Sequence, residues 1–276
     1  AIVVMRTNAT ITGPTDGILH ADNAAFGSGA NLGSGSFVVY RGAATQVDVT
    51  NLGPGTNYYV EVFAYKGTVA DSSVDQGINY RQASPPTGAR STLAAEPTAQ
   101  ATSLLFTGVT DVQMAISWAN GNGANRIVVV KEAGAVDWTP TDGVEPSAVN
   151  ANFTLAGDQA GGNRICYSGS ATNFTLTGLT AETTYHVKIF EYNGASTEVN
   201  YYTGGTPPTG SQATTAATCV PGAVTLTQNT NQYDVVWSNG TANLYDSGAT
   251  LGMWANGDTG DEVAAWKRFR TSSSTN

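Results

Sequence analysis

The chain has 276 residues, of which only 12 % are charged while 32 are glycine, a balance that disfavours helical architectures because glycine costs about 1 kcal/mol in each helix interior. Twelve Lys and Arg against 21 Asp and Glu give a formal charge of −9 with no basic block, which argues against nucleic acid as a partner, since phosphate binding needs a basic stripe. Hydrophobic residues make up 41 %, enough to bury a core, and no apolar run approaches the roughly 18 residues of a membrane span.

Taken in chain order, the elements repeat. A β-branched run at Ile2 to Met5 (IVVM) comes first, then a turn at Thr15, Asp16 and Gly17. FVVYRG follows at Phe37 to Gly42, LGPGTNY at Leu52 to Tyr58, and VEVFAYKG at Val60 to Gly67. Asn79 and Tyr80 precede Pro85, Pro86, Thr87 and Gly88. The same order returns as IVVV at Ile127 to Val130, Thr141 to Gly143, RICYSG at Arg164 to Gly169, LTAETTY at Leu179 to Tyr185, and VKIFEYNG at Val187 to Gly194. It closes with Asn200 and Tyr201 before Pro207 to Gly210. Self-similarity of this kind defines the architecture before any single element does. The first repeat carries extra residues between Thr68 and Gly77, as a longer hairpin loop would.

Short apolar runs separated by Gly, Pro, Asn, Asp and Thr predict strands. Within them Tyr58, Val60 and Val62 alternate with Tyr59, Glu61 and Phe63, and Tyr185, Val187 and Ile189 alternate with His186, Lys188 and Phe190. Period two assigns the first set of each to a core face and the second set outward. The second repeat is preceded by two more strands, near Ser103 to Phe106 and Val112 to Trp118, that have no counterpart in the first. After a linker at Thr214 to Cys219, Ala223 to Thr227 and Tyr233 to Trp237 look like those same two strands again, opening a third module. The expected division is 1–93, lacking its first strands; 94–217, complete with a long insertion; and 218–276, the start of a third unit. Ala1 opens without a charged or apolar leader, so the sequence reads as a processed or excised piece.

One motif narrows the class. Leu52, Thr56 and Tyr58, and again Leu179, Thr183 and Tyr185, place a core leucine before a tyrosine that opens an alternating strand. In immunoglobulin-like sandwiches such a tyrosine turns its hydroxyl back onto the preceding connection. With Trp118 ending the strand MAISW, Trp237 in the matching place, and the two TPPTG-like exits, the chain resembles tandem fibronectin type III domains of large secreted bacterial surface proteins. The resemblance implies an all-β protein of tandem antiparallel β-sandwiches, extracellular at a cell surface, structural or adhesive rather than enzymatic. The second repeat is longer than such domains by an insertion between Glu132 and Asn163.

Candidate chemistry is sparse. His20 and His186 are the only histidines, too few for a clustered-His metal site, and no nucleophile or paired-carboxylate motif occurs. Cys166 and Cys219 form no CxxC and read as thiols, with a mutual disulfide or pairing outside this chain as the alternatives. No cofactor is expected beyond calcium, for which Asp258, Asp261 and Glu262 in NGDTGDE are the better candidate ligands and DSSVD at Asp71 to Asp75 the weaker. Tyr59, Phe63 and Tyr65 recur as Phe190 and Tyr192 on the expected outer face; coverage by the insertion is the simpler account, stacking on surface glycans or proteins the other. The expected partners are other domains or copies of the same protein, head to tail if residues 223–237 of one copy supply the strands missing from residues 1–93 of the next. An accessory, carbohydrate-binding module of a secreted glycan-degrading enzyme is the alternative function.

Overall fold

Runs of β-branched and aromatic residues, too short and too evenly alternating for helices, form strands throughout the computed structural model. It describes residues 1–67 and 77–217 in full and, beyond them, the backbone strands 224–229, 232–237 and 269–270. The first repeat contains β1 (Ile2–Arg6), β2 (Phe37–Arg41), β3 (Asn57–Phe63), β4 (Tyr65–Lys66), β5 (Asn79–Tyr80) and β6 (Thr87–Ser91). They make one four-stranded antiparallel sheet in the order β2-β1-β3-β6, plus the short pair β4 and β5.

The second repeat opens with β7 (Thr102–Thr107) and β8 (Gln113–Ala119), the two strands without counterparts in the first. It continues with β9 (Asn125–Glu132), β10 (Asp158–Ala160), β11 (Asn163–Gly169), β12 (Asn173–Thr177), β13 (Thr184–Asn193), β14 (Asn200–Tyr201) and β15 (Thr209–Ala213). One antiparallel sheet runs β10-β11-β9-β13-β14, with β15 also on β13; a second runs β12-β8-β7. Val128, Val130, Cys166, Tyr185, Val187 and Ile189 from the first sheet share one buried cluster with Met114, Ile116, Trp118 and Leu176 from the second. Two sheets, each apolar on one face, bury those faces against each other. The result is a sandwich of the fibronectin type III, immunoglobulin-like kind.

Beyond it, β16 (Val224–Asn229) and β17 (Gln232–Trp237) pair antiparallel from Val224 opposite Trp237 to Asn229 opposite Gln232, and β18 (Phe269–Arg270) adds to β17. The helical content of the described residues is a single 3-10 turn at Ser196–Glu198.

Phe63, Phe190 and Tyr192 lie on the outward face, as alternation assigns them, and that face is covered. Phe190 and Tyr192 are buried with Ile127, Val129, Ile165, Val199 and Tyr201 in a second core, against which Val136 and Trp138 of the insertion pack. Phe63 is buried likewise with Ile2, Val4, Val38, Ile78 and Tyr80, with Ile11, Ala30 and Leu32 against them. Alternation correctly separates the two faces. Each face then finds its own cover, so the main sheet of the second repeat is apolar on both sides. The aromatic row is covered rather than free to stack on a sugar.

The turn motifs repeated in the sequence hold that cover in place. Asp142 accepts a hydrogen bond from the Tyr201 amide at 2.8 Å, and the Tyr201 hydroxyl donates to the Val144 carbonyl at 3.0 Å. In the first repeat Asp16 accepts from the Tyr80 amide at 2.6 Å and Tyr80 donates to Ile18 at 3.0 Å. The Asp of each TDG turn thus clasps the Tyr of each Asn-Tyr pair. Gly67 and Gly194, at φ 86° and 83°, close the adjoining bends; a Cβ there would lie 2.5 Å from the Gly77 carbonyl oxygen and 2.4 Å from that of Glu198.

Candidate functional site: an open sheet face beside the junction

Both tyrosine corners form. The Tyr58 hydroxyl accepts from the Gly53 amide at 2.8 Å, and the Tyr185 hydroxyl from the Thr180 amide at 3.0 Å. A threonine from the last strand seals each corner: Thr92 accepts from the Thr56 amide at 3.0 Å and donates to the Gly53 carbonyl at 2.6 Å, while Thr214 does the same with Thr183 and Thr180 at 3.0 and 2.6 Å. Thr92 and Thr214 were not singled out in the sequence, although the repeat aligns them. Leu179 and Trp118 are buried in the second repeat's inner core. Leu52, the counterpart of Leu179, is only half-buried.

That difference marks the site. Among the described residues no sheet of the first repeat is equivalent to β12-β8-β7 of the second, and none faces the inward residues of β1 and β3. Val3 is half-buried where its counterpart Val128 is fully buried, and Val60 where Val187 is buried. Residues 46–50 (QVDVT) occupy the place of β12. They are not a strand, and the segment's single ladder contact is the Ala25 to Thr50 bridge, matching the Asn152 to Thr177 bridge of the second repeat. Phe26 packs edge-on to Tyr58 at 5.0 Å, as Phe153 does to Tyr185 at 5.1 Å, and caps one side of the face. The rest stays open as a groove of about 1070 Å³ lined by Val3, Met5, Val47, Val49, Leu52 and Val60, with Leu93 to Glu96 of the linker at one end.

At that end the linker is tied to both repeats. The Gly55 amide donates to the Leu93 carbonyl at 2.7 Å, and the Ala94 amide to the Glu198 carbonyl at 2.8 Å. Asn200 donates its side-chain amide to the Ala94 carbonyl at 2.8 Å and Asn193 to the Ala95 carbonyl at 2.7 Å. Gly143 and Asn200 also line the groove, so the second repeat contributes to its lining.

Charge is used structurally in the described residues. Glu191 is a carboxylate on strand β13. It lies fully buried opposite Arg126, with Nε to Oε1 at 3.2 Å and Nη2 to Oε2 at 3.3 Å. Glu191 also accepts the Gly121 and Gly123 amides at 3.0 and 3.1 Å, and Arg126 donates to the carbonyls of Ser170, Ala171 and Gly123. The chain between β8 and β9 is thereby bonded to the end of β13.

His20 packs against Tyr80 at 5.8 Å and accepts from the Thr15 amide at 3.2 Å; burial lowers its pKa. Lys131 donates to Asp137 at 2.7 Å and Asn163 does so at the same distance, which holds the exposed Asp137 carboxyl down at about 2. Cys166 is a free, buried thiol whose pKa is pushed up to about 12 by burial. Among the described residues no group of three or more His, Cys, Asp or Glu side chains is arranged to hold a metal, and no helix is long and apolar enough to cross a membrane. Asp258, Asp261 and Glu262, the DSSVD segment, Cys219 and the Trp237 side chain lie outside the described residues.

A family model described as Uroplakin II matches residues 29–82, a stretch confined to part of the first repeat. No curated protein matches the chain. Among solved structures, a two-domain fibronectin type III segment of chicken tenascin is 15 % identical with a TM-score of 0.26, covering 78 % of this chain and 85 % of that one. The FN1–FN3 domains of chicken CNTN1 are 16 % identical with a TM-score of 0.36, covering 78 % of this chain and 53 % of that one. An FN3 domain of human collagen XX is 17 % identical with a TM-score of 0.25, covering 45 % and 100 %. The sandwich assignment rests on the two facing sheets and the tyrosine corner of this chain itself.

Proposed function

We propose that the chain is a structural or adhesive segment of a modular protein exported to a cell surface or extracellular filament, without catalytic activity of its own. Its units are residues 1–93, 94–217 and the module beginning at 218. The observation that carries this reading is the junction. Ala94 and Ala95 are bonded to Glu198, Asn193 and Asn200 of the second repeat, while Leu93 is bonded to Gly55 of the first. A connection bonded on both sides makes the two repeats into a stiff spacer, whereas the default between domains is relative motion. Such a spacer transmits position and force.

The test is a distance distribution between spin labels placed on the exposed residues Asp48 and Glu182. A narrow distribution that broadens in Asn193→Ala, Asn200→Ala supports the spacer. A broad distribution in the unmodified chain overturns it.

A further inference from the structure

The turn between β8 and β9 reads Asn120-Gly121-Asn122-Gly123, two Asn-Gly pairs in succession. Such a pair is prone to lose the side-chain amide, because a following glycine has no Cβ to hinder its own nitrogen from reaching the asparagine Cγ. The fold nonetheless uses all four residues. A Cβ on Gly121 would lie 2.1 Å from the Ala99 carbonyl oxygen, and one on Gly123 would lie 2.7 Å from Glu191 Oε2 and 3.0 Å from the Tyr192 amide nitrogen. Asn120 accepts from the Trp118 indole at 3.0 Å. Asn122 Oδ1 accepts from the amides of Thr98 and Ala99, both at 2.9 Å, and its Nδ2 donates to the Thr98 hydroxyl at 2.9 Å. Both asparagines are exposed, so water reaches them.

Deamidation begins when the glycine nitrogen, giving up its proton, bonds to the asparagine Cγ; the Cγ to Nδ2 bond then breaks and ammonia leaves. Water opens the resulting succinimide to aspartate or, through its other carbonyl, to isoaspartate. Both partners of the first step are already engaged here. Glu191 takes the Gly121 amide on Oε1 at 3.0 Å and the Gly123 amide on Oε2 at 3.1 Å. Arg126 fixes that carboxylate through Nε and Nη2 and donates to the Gly123 carbonyl at 3.0 Å. Cyclisation at Asn122 therefore breaks one hydrogen bond at the nitrogen and three at the carboxamide. At Asn120 it breaks the nitrogen's bond to Glu191 and the carboxamide's bonds to Trp118 and, at 3.4 Å, to the Ser170 carbonyl.

We propose that Asn120 and Asn122 are dormant deamidation sites and that the buried pair of Arg126 and Glu191 is their guard. One carboxylate holds both glycine amides, so local opening at the end of β13 releases the two together, and the modification that follows is a permanent record of that opening. Conversion of Asn122 removes the donor to the Thr98 hydroxyl, and isoaspartate lengthens the main chain of the turn by a methylene. The turn then loses its grip on Thr98 and Ala99, where the chain enters the second repeat. The guard is a property of the second repeat alone and holds whether or not the two repeats form a stiff spacer.

The experiment is peptide mapping by tandem mass spectrometry of the full chain held in mildly alkaline buffer, which reads conversion at Asn120 and Asn122 separately. The native chain is expected to keep both amides while the urea-denatured chain loses them. Arg126→Met, Glu191→Leu removes the acceptor of both glycine amides and should speed both conversions by about 10- to 100-fold, the factor that one hydrogen bond to a charged group is worth. Tyr185→Phe, which weakens the same repeat with Glu191 in place, should leave them slow. Thr98→Val, at an exposed position, removes the partner of Asn122 Nδ2 and should speed Asn122 but not Asn120, an outcome that does not depend on the double variant folding. Conversion in the native chain at the denatured rate overturns the proposal, as does a double variant no faster than Tyr185→Phe, or a Thr98→Val chain in which both sites accelerate or neither does.

Discussion

Arg126 and Glu191 stand opposite each other on neighbouring strands, both fully buried, with Nε to Oε1 at 3.2 Å. Neither charge meets solvent, so each is kept by the other and by the backbone groups around them: the Gly121 and Gly123 amides on Glu191, the Ser170, Ala171 and Gly123 carbonyls on Arg126. The positions that align with them in the first repeat are Ala1 and Ala64.

Removing one partner leaves the other buried and uncompensated, a cost of about 3–5 kcal/mol. Arg126→Met or Glu191→Gln should each destabilise the second repeat by that order in urea unfolding. The double variant Arg126→Met, Glu191→Leu should recover much of the loss, because an apolar pair has no desolvation cost to offset.

Tyr185→Phe removes the acceptor of the Thr180 amide while leaving the ring buried in the core. A buried donor left unpaired costs about 1–3 kcal/mol. Thermal unfolding should show that loss in the second repeat, and Tyr58→Phe a smaller one, because the Gly53 amide lies beside an open groove where water replaces the hydroxyl.

Asp142→Ala unlatches the Tyr201 amide from the TDG turn and frees the cover of the outer core. The expected loss is about 1–3 kcal/mol, accompanied by faster hydrogen exchange at Tyr201 and Val199. Asp16→Ala should act on Tyr80 in the same way.

Asp137 contributes a pH dependence of defined sign. Its folded pKa, about 2, lies below the ordinary 3.8 because Lys131 and Asn163 bond to the carboxylate. A depressed carboxylate pKa stabilises above the unfolded value, and the contribution is lost as pH falls from about 4 through about 2. An NMR titration should show the low midpoint, and Lys131→Met should move it up toward the ordinary value.

Cys166 should resist alkylation in the folded chain well above neutral pH, because burial keeps the thiol protonated and out of reach. In a Cys219→Ser background, reaction with iodoacetamide should appear only on adding denaturant. Modification of the native chain at a rate near that of a free thiol would contradict the buried placement.

The strands and the two tyrosine corners were legible in the sequence, because period-two alternation, turn residues and self-similarity are local signals that survive without partners. Tertiary structure decided what each face meets. Phe63, Phe190 and Tyr192 alternate outward in the sequence and coverage by the insertion is the simpler reading of them, but the residues that do it, Val136 and Trp138 with Ile11 and Leu32 in the first repeat, come from irregular connections with no period to announce them. Arg126 and Glu191 are brought together only by the register of β9 with β13, which no single segment encodes. Val3, Val47, Val49 and Val60, distant from one another in the sequence, line one groove only after folding.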